Sequence, residues 1–353
     1  MLITMILTIL IFIVILAVLV VAHEFGHFFT AKKFGMYVEE FAIGFPPRIF
    51  SWIKGETRIS INAIPLGGYV KIPGENGEEE LTEEEKKKIQ PERLFSRKKP
   101  WQRIVVLCAG VAMNIVVGWL LFIPVFMHGI NPEVVIISVS KNSPAEHAGI
   151  QEGDVLKEFS TVEAFIRATQ ENSGKEMKFL VQRNGSEKTI VTVPRVDPPL
   201  GEGALGVALS ESGISAMSFG DAAIASATFA LQVFSAIFIL LFKLVGALIG
   251  ITSGDLFHAL TGPVGVFQAT AQASAMGWAH VLYLAAMISL NLAAVNIFPF
   301  PALDGGRVLL VIIEKIKKSP VSAKTQAITN GVGFLLLICL LLFISVRDVV
   351  RIW

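Results

Sequence analysis

The run Val20-Val21-Ala22-His23-Glu24-Phe25-Gly26-His27-Phe28 decides how this chain is read. It continues an uncharged apolar stretch over residues 2–22. A membrane helix needs roughly 20 such residues. On a helix, His23 and His27 lie four residues apart and project from one face, so two neutral imidazoles can reach a single metal ion. Glu24, beside the first, is placed to act as a base on water. The bland reading is three polar residues at headgroup level, just past the end of a span. Ionisable groups at membrane depth cost about 2.5–3.5 kcal/mol each on insertion scales, and a bound cation compensates three of them together. The metal reading therefore prevails here. His128, His147, His258 and His280 are read as solitary polar side chains.

Composition agrees with a membrane protein. Of 353 residues, 53% are hydrophobic and 17% charged, where ordinary soluble domains have about 25% charged residues. The net charge of +1 gives no footprint for nucleic acid. Cys108 and Cys339 lie in apolar runs, so neither a disulfide framework nor thiolate metal ligands are expected. No basic residue precedes the first apolar run and no small-residue cleavage site follows it, which favours a retained helix over a signal peptide.

Three further stretches qualify as full spans: 104–127, 280–298 and 328–346. Residues 28–103 carry Lys32, Lys33, Arg97, Lys98, Lys99 and Arg103, and 307–324 carry Arg307, Lys315, Lys317, Lys318 and Lys324. The positive-inside rule puts both loops in the cytoplasm. A fifth apolar stretch, 222–242, breaks that rule if it crosses fully, because the basic 307–324 loop would then fall outside. It is expected to be interfacial or re-entrant. Thr57-Arg58-Ile59-Ser60-Ile61-Asn62 alternates polar and apolar like a half-exposed strand, and Tyr69-Val70-Lys71-Ile72 is its expected return. Residues 74–90, dominated by Glu and Lys, are expected to be a solvated helix or loop without a function. Residues 131–196 mix β-like runs with a helix over 162–168, a small α/β domain expected outside the cytoplasm.

The fold class expected is thus a polytopic α-helical membrane protein with four transmembrane helices, a cytoplasmic β-hairpin region and one extracytoplasmic α/β domain. It divides into an N-terminal membrane core (1–127), the α/β domain (128–200), an interfacial or re-entrant helical region (201–279) and a C-terminal membrane core (280–353). Catalytic zinc commonly has three protein ligands and one open position. With this parity the third full span ends at the depth of His23, and Asp304 stands just past it in Asn296-Ile297-Phe298-Pro299-Phe300-Pro301-Ala302-Leu303-Asp304-Gly305-Gly306. Taken alone, that proline–glycine loop reads as an ordinary turn. Ligand type points to Zn2+ over other divalent ions.

Together, His-Glu-Phe-Gly-His at 23–27 and the 296–306 run resemble the site-2 protease family of intramembrane zinc metalloproteases, in its bacterial branch similar to the regulator of sigma-E protease. Supporting matches are Pro91-Glu92-Arg93-Leu94-Phe95, Lys98-Lys99-Pro100-Trp101-Gln102-Arg103, and Ala109-Gly110 with Asn114. Asn142-Ser143-Pro144-Ala145-Glu146-His147-Ala148-Gly149-Ile150 with Gly153-Asp154 resembles a single PDZ domain, a peptide binder or a gate against bulky substrates. Where the family usually has Ala-Gly-Pro, this chain has Val111 after Gly110. The resemblance implies zinc ligands His23, His27 and Asp304, with Glu24 as general base. It implies that Asn296 holds the substrate or the oxyanion, and that the 57–72 region pairs with an unwound substrate. Asn291, Asn114, Ile59 and Ile61 are further candidates for substrate positioning. The implied partners are the lipid bilayer of the inner (cytoplasmic) membrane and single-span substrates such as anti-sigma factors and signal-peptide remnants. A non-enzymatic adaptor built around the PDZ-like domain is the alternative. A transporter would need paired helix breaks in repeated halves, and the sequence has no such repeat.

Overall fold

A computed structural model describes residues 2–78, 81–183, 186–199, 201–248, 250 and 261–352; His258 lies outside them. The chain divides into two compact units, residues 1–124 with 223–353, and residues 125–222.

The first unit is built from long apolar helices: α1 (Leu2–Lys33), α3 (Pro100–His128), α6 (Phe219–Leu248), α8 (Trp278–Ile297) and α10 (Ala323–Ile352). Each is long and apolar enough to cross a membrane. Shorter helices lie between them: α2 (Glu83–Lys88), α7 (Pro263–Met276) and α9 (Asp304–Lys317). Large apolar side chains such as Leu10, Val14, Leu335, Leu341 and Phe343 stand exposed on α1 and α10. Such faces would be unstable in water but match hydrocarbon. The protein is a polytopic membrane protein. Ile15 and Leu19 of α1 pack on Ala285 of α8, with Val117 and Leu121 of α3 alongside. Ser289 Oγ of α8 donates to the Asn114 carbonyl of α3 at 2.8 Å. Polar links of this kind join helices where apolar burial adds little, because lipid is as apolar as leucine.

The stretch expected to be interfacial or re-entrant is α6, a 30-residue helix. Its Phe229 contacts Tyr283, while Phe238 and Phe242 contact Phe298, so it runs alongside α8 in the same direction. The later helix α7 begins against the far end of α10, where Gly262 and Gly265 donate backbone N–H groups to the buried Asp348 carboxylate, each at 2.9 Å.

Between α1 and α3 two long strands form a sheet, β1 (Glu40–Lys54) and β2 (Thr57–Lys71). The expected pairing of 57–62 with 69–72 does not occur. Instead β1 bends, and its first residues sit between both arms of β2: Phe41 faces Ile59 on one side and Val70 on the other. The other half of β1 returns along β2, with Trp52 facing Ile59 and Phe50 facing Ile61. Strand β1 escapes a pattern search because Gly44, Pro46 and Pro47 interrupt its alternation. At its turn, Glu56 accepts from both guanidinium arms of Arg93 and from Lys32. The Arg93 hydrogen bonds, helped by Lys32, hold the Glu56 carboxyl down at about 2. Residues 74–90 are not merely solvated: Leu81 and Ile89 are buried with Tyr37 and Leu94.

The second unit is a five-stranded sheet in the order β6-β5-β4-β3-β7. Its elements are β3 (Ile130–Val139), α4 (Pro144–His147), β4 (Val155–Leu156), α5 (Val162–Glu171), β5 (Met177–Arg183), β6 (Ser186–Thr192) and β7 (Val207–Ile214). Strand β7 pairs with β3 and lies beyond the expected boundary at 200; pairing partners 68 to 84 residues apart, from Val139 with Val207 to Ile130 with Ile214, leave no local signal. Phe165 of α5 packs on Phe179 among Val134, Ile136, Val181 and Ile190. Asp154, fully buried, is gripped by Arg183 through two bonds of 2.6 and 2.7 Å and accepts from the Gln151 N–H. Burial disfavours the charged form, but the Arg183 hydrogen bonds outweigh it and hold the carboxyl below the usual range.

Candidate metal centre

The candidate metal ligands come from two places in the chain. His23 and His27 lie on the last turns of α1, which stays helical through Lys33. Both residues are buried, each 7% exposed. Asp304 opens α9, after an irregular loop in which Phe300 N–H bonds back to the Phe298 carbonyl. Gly305 and Gly306 let that turn close: a Cβ on either would sit 2.2–2.3 Å from a carbonyl oxygen of Phe298, Ile297 or Phe300. The two glycines thus bring the start of α9 back onto the end of α8.

The result is a tight triad. Asp304 Oδ2 lies 3.0 Å from His23 Nε2 and 3.3 Å from His27 Nε2, and the two imidazole nitrogens are 3.1 Å apart. Adjacent ligands on a tetrahedral zinc with bonds of about 2.0–2.1 Å stand about 3.3 Å apart. Asp304 Oδ2 is buried and has no hydrogen-bond partner, which suits an atom whose partner is a cation. The donor set of two imidazoles and one carboxylate fits zinc and leaves one position open. Among the described residues this is the group of His, Cys, Asp and Glu side chains able to hold a metal.

Helix α3 backs the triad. His27 Nδ1 lies 2.8 Å from the Val106 carbonyl, and the Asn114 amide lies 3.3 Å from His23 Nδ1. Gly110 faces both rings so closely that a Cβ there would be 2.4 Å from His27 Nε2.

A cavity of about 680 Å3 opens on the triad, lined by Glu24, His27, Asp304, Gly68, Tyr69 and Arg307 among others. Glu24 therefore faces the open space beside the ligands. Gly68 passes directly over it; a Cβ at 68 would be 3.4 Å from Glu24 Cγ. Gly68, Tyr69 and Val70 pair with Ile43, Ala42 and Phe41 on one side and line the cavity on the other. The loop at 74–77, expected to be without function, also lines it, and Glu75 forms an ion pair with Arg307.

The remaining candidates stand elsewhere. Ile59 and Ile61 are paired along both edges of their strand, with Phe41 and Trp52 and with Ile43 and Phe50. Asn291 is exposed on α8, and Asn296 is half-buried eight residues before Asp304; neither lines the cavity. Asn114 is wholly buried behind His23. Sequence reasoning missed Gly110, the Val106 carbonyl and the 74–77 loop. Gly110 alone left a trace, as one of the matched residues before Asn114.

Comparison with known proteins agrees with this chemistry. The profile of peptidase family M50 matches residues 11–340. The chain is 30% identical to the zinc metalloprotease RasP of Oceanobacillus iheyensis, over 98% of this chain and 99% of that one. It is 28% identical to the zinc metalloprotease RasP of Shouchella clausii, and 28% to the regulator of sigma-W protease RasP of Bacillus subtilis, each over 98% of this chain and 99% of the other. A buried triad with zinc spacing, a glutamate facing the adjoining cavity, and relatives matched from end to end lead to one conclusion: this chain belongs to peptidase family M50 and is a zinc metalloprotease.

Proposed function

We propose that His23, His27 and Asp304 hold the catalytic zinc, that Glu24 is the general base, and that the enzyme cleaves single-span membrane proteins at the cytoplasmic end of the membrane. The observation that carries this reading is the 3.0–3.3 Å triad next to a cavity that Glu24 also faces. A bound zinc supplies Lewis acidity for the scissile carbonyl and lowers the pKa of water toward about 7. Glu24 takes a proton from the attacking water and returns it to the leaving amine.

A helical substrate hides its peptide groups in its own hydrogen bonds, so it must unwind before attack. The strand Gly68–Val70 offers the place to receive it, since one edge is paired and the other borders the cavity. Ile59 and Ile61 then support the sheet from its interior. Asn296 remains the proposed aid to substrate or oxyanion, with Asn291 a weaker candidate. Substrates such as anti-sigma factors are favoured by the relative called a regulator of sigma-W protease; signal-peptide remnants fit the same chemistry.

The basic loops favour a cytoplasmic metal end in the inner membrane, four full spans, and an extracytoplasmic PDZ-like unit. In that topology α6 and α7 form the re-entrant region: α6 descends beside α8, and α7 starts level with the far end of α10. The test is cleavage of a tagged single-span substrate by purified protein in detergent. Glu24→Gln should abolish cleavage and keep zinc. A variant that cleaves normally would remove Glu24 from the mechanism, and one that loses zinc would make it structural.

A further inference from the structure

Resting on the zinc site proposed above, we infer that Asn114 is the outer partner of the metal ligand His23, a positioning residue that fixes which ring nitrogen meets the ion. Asn114 is fully buried, on α3, and it does not line the cavity, so no substrate can reach it. Its backbone is pinned: the carbonyl accepts from Ser289 Oγ at 2.8 Å, which locks this turn of α3 against α8. Its side-chain amide ends 3.3 Å from His23 Nδ1.

The chemistry of imidazole decides what that contact must be. When Nε2 binds a cation through its lone pair, the ring proton sits on Nδ1, and Nδ1 becomes a donor. Only the oxygen of a carboxamide can accept it. With the amide nitrogen turned toward the ring, Oδ1 is left buried without a partner. Turning the amide about its axis brings Oδ1 to the Nδ1 proton and gives that buried oxygen a partner. His27 already has this arrangement, with its Nδ1 2.8 Å from the Val106 carbonyl. Both imidazoles are thereby oriented from α3, one by a backbone oxygen and one by a side chain. A neutral amide does this without adding a further carboxylate beside Glu24 and Asp304 at membrane depth, where charge is costly.

The measurement is zinc affinity of the purified full-length chain in detergent, by competition with a chelator, together with the visible spectrum of the Co2+-substituted protein. Asn114→Leu keeps the branching and the number of heavy atoms and removes the acceptor. It should weaken zinc about 10–100-fold and shift the Co2+ bands, the scale expected for losing an outer partner. Asn114→Asp restores an acceptor and should bind zinc within a few-fold of wild type. Wild-type affinity in Asn114→Leu would overturn the inference. Equal loss in both variants would also overturn it, because packing alone would then explain the position. His23→Ala separates the two layers of argument: if wild type binds no zinc, or if His23→Ala binds it as well as wild type does, the site itself is misassigned.

Discussion

Replacing Gly110 by alanine should disable the enzyme while leaving its fold intact. The added carbon would lie 2.4 Å from His27 Nε2, 2.7 Å from His23 Cε1 and 2.8 Å from His23 Nε2. Ordinary contact begins near 3.4 Å, so the rings or the α3 backbone must yield by about 0.6–1 Å. A displacement of about 1 Å in a reacting constellation costs roughly 10²-fold in rate. The rings cannot retreat far, since their Nδ1 atoms are engaged by Val106 and Asn114 on the same helix. Alanine is the better helix former by about 1 kcal/mol in aqueous hosts, so α3 itself is not weakened. The assay is cleavage of a single-span substrate alongside zinc content and thermal unfolding in detergent. Turnover should fall about 100-fold with zinc binding weakened and the unfolding temperature within a few degrees of wild type. Full activity in Gly110→Ala would refute the close approach of α3 to the ligands; collapse of the whole fold would show that the residue acts through helix packing.

Arg183→Ala strands the fully buried Asp154 carboxylate. It should destabilise residues 125–222 by about 3–5 kcal/mol, read as faster amide exchange in that unit while the zinc content of the full chain is unchanged. Glu56, whose carboxyl is held at about 2 by Arg93 and Lys32, titrates near 4.5 once unfolded. Its contribution is fully present above pH 4.5 and is lost as pH falls toward 2; because the pair is partly solvated, about 1–2 kcal/mol is expected. Glu56→Gln should flatten the acid limb of the unfolding curve in that window, and an unchanged limb would exclude the pair as its source. Asp348→Ala leaves the Gly262 and Gly265 N–H groups without their acceptor. It should cost about 1–3 kcal/mol and speed proteolysis near residue 262; unchanged cleavage there would place the anchor of α7 elsewhere.

The parts of the site that were legible in the sequence are those fixed by local geometry or by parity. His23, Glu24 and His27 share one helical turn, so their spacing suffices. Asp304 followed from counting crossings and asking which acidic residue returns to the depth of His23, and the structure brings it within 3.3 Å of both imidazoles. The second unit is visible in the sequence as alternating runs, but its edge strand at 207–214 is not, because β7 acquires its meaning only by pairing with β3. The two-stranded sheet is half visible in the sequence. Ile59 and Ile61 carry the cleaner alternation and attracted the substrate role, while Gly68–Val70, nearly featureless in sequence, border the cavity. Charge patterning misled at 74–90, where Glu75 reaches Arg307 across 232 residues. Asn114 stands out in the sequence as a motif residue, but its position behind His23 depends on how α1 and α3 cross.

The wide separation of the proposed ligands has a consequence for how the enzyme is made. His23 and His27 leave the ribosome 281 and 277 residues ahead of Asp304. At about 5–20 residues per second, the carboxylate is synthesised roughly 15–60 s after the histidines. Through that interval the chain holds two imidazoles and no complete cage, so a nascent or truncated copy has no third protein ligand for the ion. On the proposed ligand set, a complete cage forms only once the turn that carries Asp304 has been delivered beside α1.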